Sequence, residues 1–70
     1  MMEPLSYRWI DTLVLAQDLA DLYPDIDPQT LRFTELHRMI CELPNFKDDP
    51  KKSNEKILEA ILMAWINEIV

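Results

Sequence analysis

The chain contains no glycine among its 70 residues. That absence restricts the fold more than any residue that is present. Phosphate-cradling loops, the dinucleotide-binding fingerprint and the calcium loop of an EF-hand all need glycine where the backbone turns sharply or approaches a ligand. None of them can be written with this sequence. Glycine is also the usual residue just past a helix C-terminus, so proline is left as the strong stop signal. Five prolines, at positions 4, 24, 28, 44 and 50, therefore set the punctuation.

Between those stops the apolar residues recur with helical spacing. The pattern predicts a first helix over about Thr12–Tyr23, with Asp11 as N-cap, Ile10 stapled against Leu15, and Pro24 as its end. Its buried stripe is expected to be Leu15, Ala16, Leu19, Leu22 and Tyr23, with Val14, Gln17, Asp18 and Asp21 on the opposite side. A second helix should start after Thr34 as N-cap and run from Glu35 to Leu43, burying Leu36, Met39, Ile40 and Leu43. A loop, "PNFKDDPKK", follows with Phe46 as its anchor. The last helix begins between Pro50 and Ser53 and carries a broad apolar face of Ile57, Leu58, Ile61, Leu62, Trp65, Ile66 and Ile69. Trp9 and Trp65 read as core or core-edge aromatics. Extended segments at Tyr7–Trp9 and Leu31–Phe33 are too short to make a sheet. The expected class is all-α: a small three-helix domain, either a simple bundle or a winged-helix-like arrangement with little or no strand. Residues 1–8 read as an N-terminal extension and 9–70 as a single domain.

Forty-nine per cent hydrophobic residues suffice for one small core, which excludes a disordered acidic tail. The longest uncharged apolar run, "AILMAWI", is far short of a membrane span, and no signal-peptide pattern opens the chain. With a single cysteine, Cys41, no internal disulfide can form. The expectation is a cytoplasmic monomer. A net charge of −6 favours cations or a basic protein surface as partners and opposes a nucleic-acid backbone.

That charge is unevenly placed. From Trp9 to Leu31 there are five aspartates and no lysine or arginine, and "DLYPDIDP" sets Asp21, Asp25 and Asp27 around two prolines. Proline disfavours helix in the residue before it, so this segment should be a kinked connector with exposed side chains. A solvated acidic face is the ordinary reading of such a run. The functional one is a docking surface for a basic partner, or a loose site for a hard divalent cation on Asp21, Asp25, Asp27 and Glu35. The spacing of those carboxylates matches no specific metal loop.

Other chemistry is thinly provided. His37 and Cys41 stand four apart on the second helix, as helical metal pairs do, though a structural thiol and a space-filling histidine share that spacing. One thiol cannot scaffold an iron–sulfur cluster, so no bound cluster is expected. A sulfur relay through Cys41 would need a low-pKa thiol, and Arg38 is offset by Glu42. Ser6 and Ser53 have no histidine in defined reach. The chain is expected not to be an enzyme. Arg32, Arg38, Lys51, Lys52 and Lys56 read as a solvated rim pairing with Asp48, Asp49 and Glu55 rather than as a nucleic-acid surface.

The runs "LYPDIDPQTLRFTELHRMICEL" and "DDPKKSNEKILEAILMAWINE" resemble the IscX-type iron–sulfur cluster assembly proteins, a likeness that extends from Trp9 to Glu68. It implies a small helical, winged-helix-like fold. It also implies an accessory protein that binds the cysteine desulfurase through an acidic surface, binds ferrous iron (Fe2+) weakly through exposed carboxylates, and competes with frataxin for the desulfurase. Carried onto this chain, the partner surface comprises Asp11, Asp18, Asp21, Asp25, Asp27, Glu35, Glu42, Asp48 and Asp49. The family often has acids where Val14, Gln17, Asn45 and Lys47 stand, and an aromatic in place of Met39, so the patch is diluted here.

Overall fold

A computed structural model describes residues 6–69. Residues 1–5 of the expected extension and Val70 lie outside the described part. Three helices make the fold: α1 (Thr12–Leu22), α2 (Phe33–Cys41) and α3 (Glu55–Ile69). Short 3-10 turns at Pro28–Thr30 and Pro50–Lys52 lead into the second and third. The domain is all-α, as the periodicity requires. Among the described residues the sole extended pairing is one parallel bridge, Tyr7 with Phe46. Tyr7 N–H donates to the Asn45 carbonyl at 2.8 Å and its own carbonyl accepts from Lys47 N–H at 2.9 Å.

The core is one cluster drawn from every element: Trp9, Leu15, Ala16, Leu19, Leu36, Met39, Ile40, Leu43, Phe46, Leu58, Ile61 and Trp65. α1 lies chiefly against α3, and α2 closes the third side. Leu15, Leu19, Ile61 and Trp65 are wholly shielded from solvent and form the seam between α1 and α3. The buried indole Nε1 of Trp65 has no hydrogen-bond partner among the described residues. No polar or charged residue is buried among those described, so the charges all lie on the outside.

Several helix ends differ from the sequence expectation. Asp11 occupies the N-cap position of α1, its carbonyl accepting from Leu15 N–H, but its carboxylate turns back to take Arg8 N–H at 2.9 Å. Ile10 is 82% exposed and cannot staple onto the buried Leu15. Leu22, expected in the stripe, is 53% exposed because α1 stops there and the chain turns away before Pro24. α2 starts two residues early, at Phe33, with Arg32 rather than Thr34 in the N-cap position. The Glu35 carboxylate takes the Arg32 N–H at 3.2 Å, satisfying a donor that a helix start leaves without a partner. The last helix is split: Asp49 caps the turn at Pro50, and Asn54 then opens α3 by accepting Ile57 N–H at 2.9 Å. Ile69 is exposed at the far end of α3.

The connector is only partly solvent-facing. Asp25 and Asp27 are exposed as its prolines suggest, while Pro28 is buried, Ile26 is half-buried, and the turn Pro28–Thr30 packs on α3. Asp27 Oδ1 accepts from Gln29 N–H at 2.9 Å and fixes that turn.

Candidate partner-docking site

The expected acidic surface divides into carboxylates already engaged with the backbone and carboxylates that are not. Asp11, Asp27, Glu35, Asp48 and Asp49 each accept at least one local or cross-chain N–H. The carboxylates of Asp18, Asp21, Asp25 and Glu42 accept no hydrogen bond among the described residues, unlike the five above. Engaged carboxylates shape the loops; their negative charge remains, but their lone pairs are partly committed.

Asp48 shows the commitment most fully. Its Oδ2 accepts from Trp9 N–H at 3.1 Å and its Oδ1 from Asp49 N–H at 2.7 Å. Those two backbone donors, led by Trp9, hold its carboxyl below the ordinary carboxylate range, with the charges of Lys52 and Arg8 acting in the same direction. The Asp48 and Asp49 carboxylates are thus held by backbone donors instead of serving mainly as partners for the lysine and arginine rim.

Asp18 is displaced the other way. It is half-buried rather than fully on the solvent side, and burial first, then the neighbouring Asp21, pushes its carboxyl up. The three-residue spacing stacks the two acids on one helix face. Nothing basic stands nearby in sequence to relieve them, since no lysine or arginine occurs between Trp9 and Leu31.

Position along α1 separates the acids further. At 1.5 Å per residue, Asp11 and Asp21 lie about 15 Å apart along the helix axis. Asp48, bonded to Trp9, sits at the Asp11 end, and Asp25 follows the other end. The expected single patch is therefore two: Asp11 with Asp48 at the start of α1, and Asp18, Asp21, Asp25 and Asp27 toward its finish. Glu35 in the first turn of α2 and Glu42 just past its end are seven residues apart, about two turns along one side, and both are exposed. No group of three His, Cys, Asp or Glu side chains that could hold a metal ion forms among the described residues.

His37 and Cys41 meet, but inside a structural clamp. The His37 ring stacks on Trp9 with centroids 5.3 Å apart, and its Nε2 lies 2.7 Å from the Pro50 carbonyl. A carbonyl can only accept, so Nε2 carries the proton and Nδ1 faces the Cys41 thiol at 3.9 Å. Trp9 is held in turn by Phe46, edge-on at 4.7 Å, and by its own Nε1–H to the Asp49 carbonyl at 2.7 Å. Burial, followed by the charge of Glu42, pushes the Cys41 thiol up, away from the thiolate.

Two surface features have no counterpart in the sequence reading. A shallow apolar groove of about 370 Å³ is lined by Phe33, Thr34, His37 and Leu58. A smaller cleft of about 240 Å³ opens at the start of α1 between Ile10 and Val14. The only sequence signal for the second was a pair of apolar residues, Ile10 and Leu13, off the buried stripe of α1.

What these observations define is a small all-helical domain with an apolar core, a charged exterior, and unpaired carboxylates on one helix and its connector. Comparison with known proteins places it more closely. The chain belongs to the iron-sulphur cluster assembly family, whose model matches residues 7–70. It is 47% identical over 64 residues to an uncharacterized protein of Pseudomonas aeruginosa, covering 91% of this chain and 97% of that one. Membership assigns it a role in iron–sulfur cluster assembly. No described helix is long and apolar enough to cross a membrane.

Proposed function

We propose that the chain is a non-enzymatic, monomeric adaptor of the cytoplasm that docks its acidic face on a basic patch of the cysteine desulfurase and tunes sulfur delivery. The observation that carries this reading is the set Asp18, Asp21 and Asp25: carboxylates without hydrogen-bond partners among the described residues, on a segment with no basic residue. Carboxylates left in this state lose little when guanidinium or ammonium groups arrive, and each gains a charge-assisted bond. Proline on either side of Asp25 restricts the connector, so less ordering entropy is lost on docking. Because the same face would be used, frataxin competes for the desulfurase.

Ferrous iron enters this reading as a weak second ligand. Asp21, Asp25, Asp27 and Glu35 offer hard oxygen donors suited to it. Asp27 and Glu35 already accept backbone N–H groups, and no three ligating side chains converge among the described residues, so iron is held loosely, by one or two carboxylates at a time.

A sulfur relay through Cys41 is the competing reading, and the half-buried thiol with its raised pKa argues against it. Cys41→Ser should leave desulfurase binding and modulation as in the wild type; abolished modulation with intact binding would favour the relay. The direct test is a magnetic resonance titration of the labelled chain with the desulfurase. Signals of residues 18–27 should broaden at low salt and recover at high salt, because exposed charge pairs are screened beyond about 8 Å at physiological ionic strength. Salt-independent binding, or broadening confined to other elements, would defeat the adaptor reading.

A further inference from the structure

We infer that the start of α1 is an apolar anchor for the same basic partner: the cleft at Ile10, Leu13 and Val14 seats an aliphatic or aromatic side chain of a segment whose lysines or arginines pair with Asp18 and Asp21. This rests on the reading of α1 as a docking surface and names what the acidic charges alone do not supply.

The starting point is misplaced apolar area. Ile10, in the turn before α1, is 82% exposed and Leu13, on α1, 66% exposed, while the buried residues of that helix, Leu15, Ala16 and Leu19, face the other way. The two lie together with Val14, around a cleft of about 240 Å³ that also includes Asp11 and Thr12. Val14, Asp18 and Asp21 then follow one another along the outer side of α1, one turn and two turns apart, or about 6 Å and 10 Å. The outer face of α1 is thus apolar in its first half and acidic in its second. A partner segment that fits it carries an apolar side chain one turn before its first basic residue.

Charge selects this occupant over a second copy of the chain. Two-fold pairing through α1 would bring Asp18 and Asp21 of one copy toward those of the other, and like charges at an interface are strongly disfavoured. The raised carboxyl of Asp18 already registers the repulsion from Asp21 within one copy. A basic segment relieves that repulsion while it covers Ile10 and Leu13.

Electrostatic and apolar contributions separate with salt. Removing a carboxylate pairing flattens the dependence of affinity on salt, whereas removing apolar area weakens binding equally at every salt concentration. In a binding titration of the full chain with the desulfurase, the double variant Ile10→Ser/Leu13→Ser should lose about tenfold in affinity at low and high salt alike, as expected for one apolar side chain no longer covered. Asp18→Asn/Asp21→Asn should lose affinity at low salt and show a shallower salt slope. Thermal melting of each variant checks that the fold is kept, which the exposure of Ile10, Leu13 and Asp21 and the isosteric change at half-buried Asp18 favour. A second arm uses synthetic peptides: a helical peptide of lysines with leucines on one face, and a lysine-only peptide of equal charge. The leucine-bearing peptide should shift the backbone signals of residues 10–14 and bind more tightly than the lysine-only one.

Equal binding of the two peptides would overturn the anchor, as would wild-type affinity of the serine variant. Self-association of the wild-type chain that the serine variant abolishes would overturn it too, in favour of a homodimer. A wild-type chain that ignores the desulfurase but distinguishes the two peptides at residues 10–14 would defeat the adaptor reading while upholding the anchor.

Discussion

Asp18 and Asp48 are the same residue type in one small domain, shifted in opposite directions by what surrounds them. Asp48 accepts two backbone N–H groups, which favour its charged form and lower its folded pKa below the unfolded value. Its contribution to stability is therefore complete above the unfolded carboxylate value of about 3.9 and is lost as pH falls through the lower folded value. Asp48→Asn should melt at a lower temperature than the wild type at neutral pH, and the gap should close in strongly acidic solution. Asp18 has the reverse sign. Burial and then Asp21 raise its folded pKa, so the folded state binds the proton more tightly and stability falls as pH rises through that region. Asp18→Asn should raise the melting temperature at neutral pH and leave it unchanged once the carboxyl is protonated in both states. A side chain that costs the free domain stability yet faces the proposed partner is what a docking residue looks like, and the variant that melts higher should bind the desulfurase less tightly.

At the scale of elements, the ends of helices separate local from tertiary control. Asn54 is not distinguished by hydrophobic spacing, yet it sets the start of α3 through Ile57 N–H. Asn54→Ala should cost about 1 kcal/mol in denaturant unfolding, the usual loss for an N-cap, with no change in desulfurase affinity because Asn54 is not among the acidic or apolar residues of the proposed docking surface. The stripes of all three helices were legible: Leu15, Ala16 and Leu19, then Leu36, Met39 and Ile40, then Leu58, Ile61 and Trp65 are buried where their spacing put them. Leu22 and Ile69 were not: each is the last residue of its helix, where the periodicity still holds but the packing has ended. Ile10 failed for a related reason: an apolar residue next to a helix start is a staple only if the chain enters at an angle that brings it onto the helix, and here the Arg8–Asp11 turn directs it outward.

For the whole molecule the governing quantity is a net charge of −6 on a chain of 70 residues, gathered on α1 and the connector. Self-repulsion of that kind opposes the compact state and is weakened by salt. Raising salt should therefore raise the melting temperature by a few degrees, the shift that about 0.5–1 kcal/mol produces in a domain of this size. Docking on the desulfurase should weaken over the same salt range. A chain whose stability and affinity fell together with salt would not carry its partner surface on its most repulsive face. The bias in charge was readable from composition along the chain; that Asp48 joins Asp11 at one end of α1 was not, because it depends on the Trp9–Asp48 bond across 39 residues.

The sequence by itself determined the number and approximate extent of the helices, the centres of their buried stripes and the sign of the surface, while α2 runs over Phe33–Cys41 where Glu35–Leu43 was expected. These follow from forces acting over a few residues: proline sterics, the 3.6-residue period, and the affinity of apolar side chains for one side. Asp11, Asp27, Glu35 and Asp49 are engaged by backbone donors within three residues of them, whereas only the tertiary structure decided that Asp48 is held by Trp9 and where His37 rests. Trp9 reaches Asp48 and Asp49 across 39 and 40 residues of chain, and His37 reaches Pro50 across 13. The first turns an expected partner carboxylate, that of Asp48, into a loop support; the second uses only the Asp49 backbone carbonyl; the third holds His37, with Cys41 beside it, against Trp9. Hydrogen bonds are settled by which donors the folded chain brings within about 3 Å, and no pattern of neighbouring residues encodes that meeting.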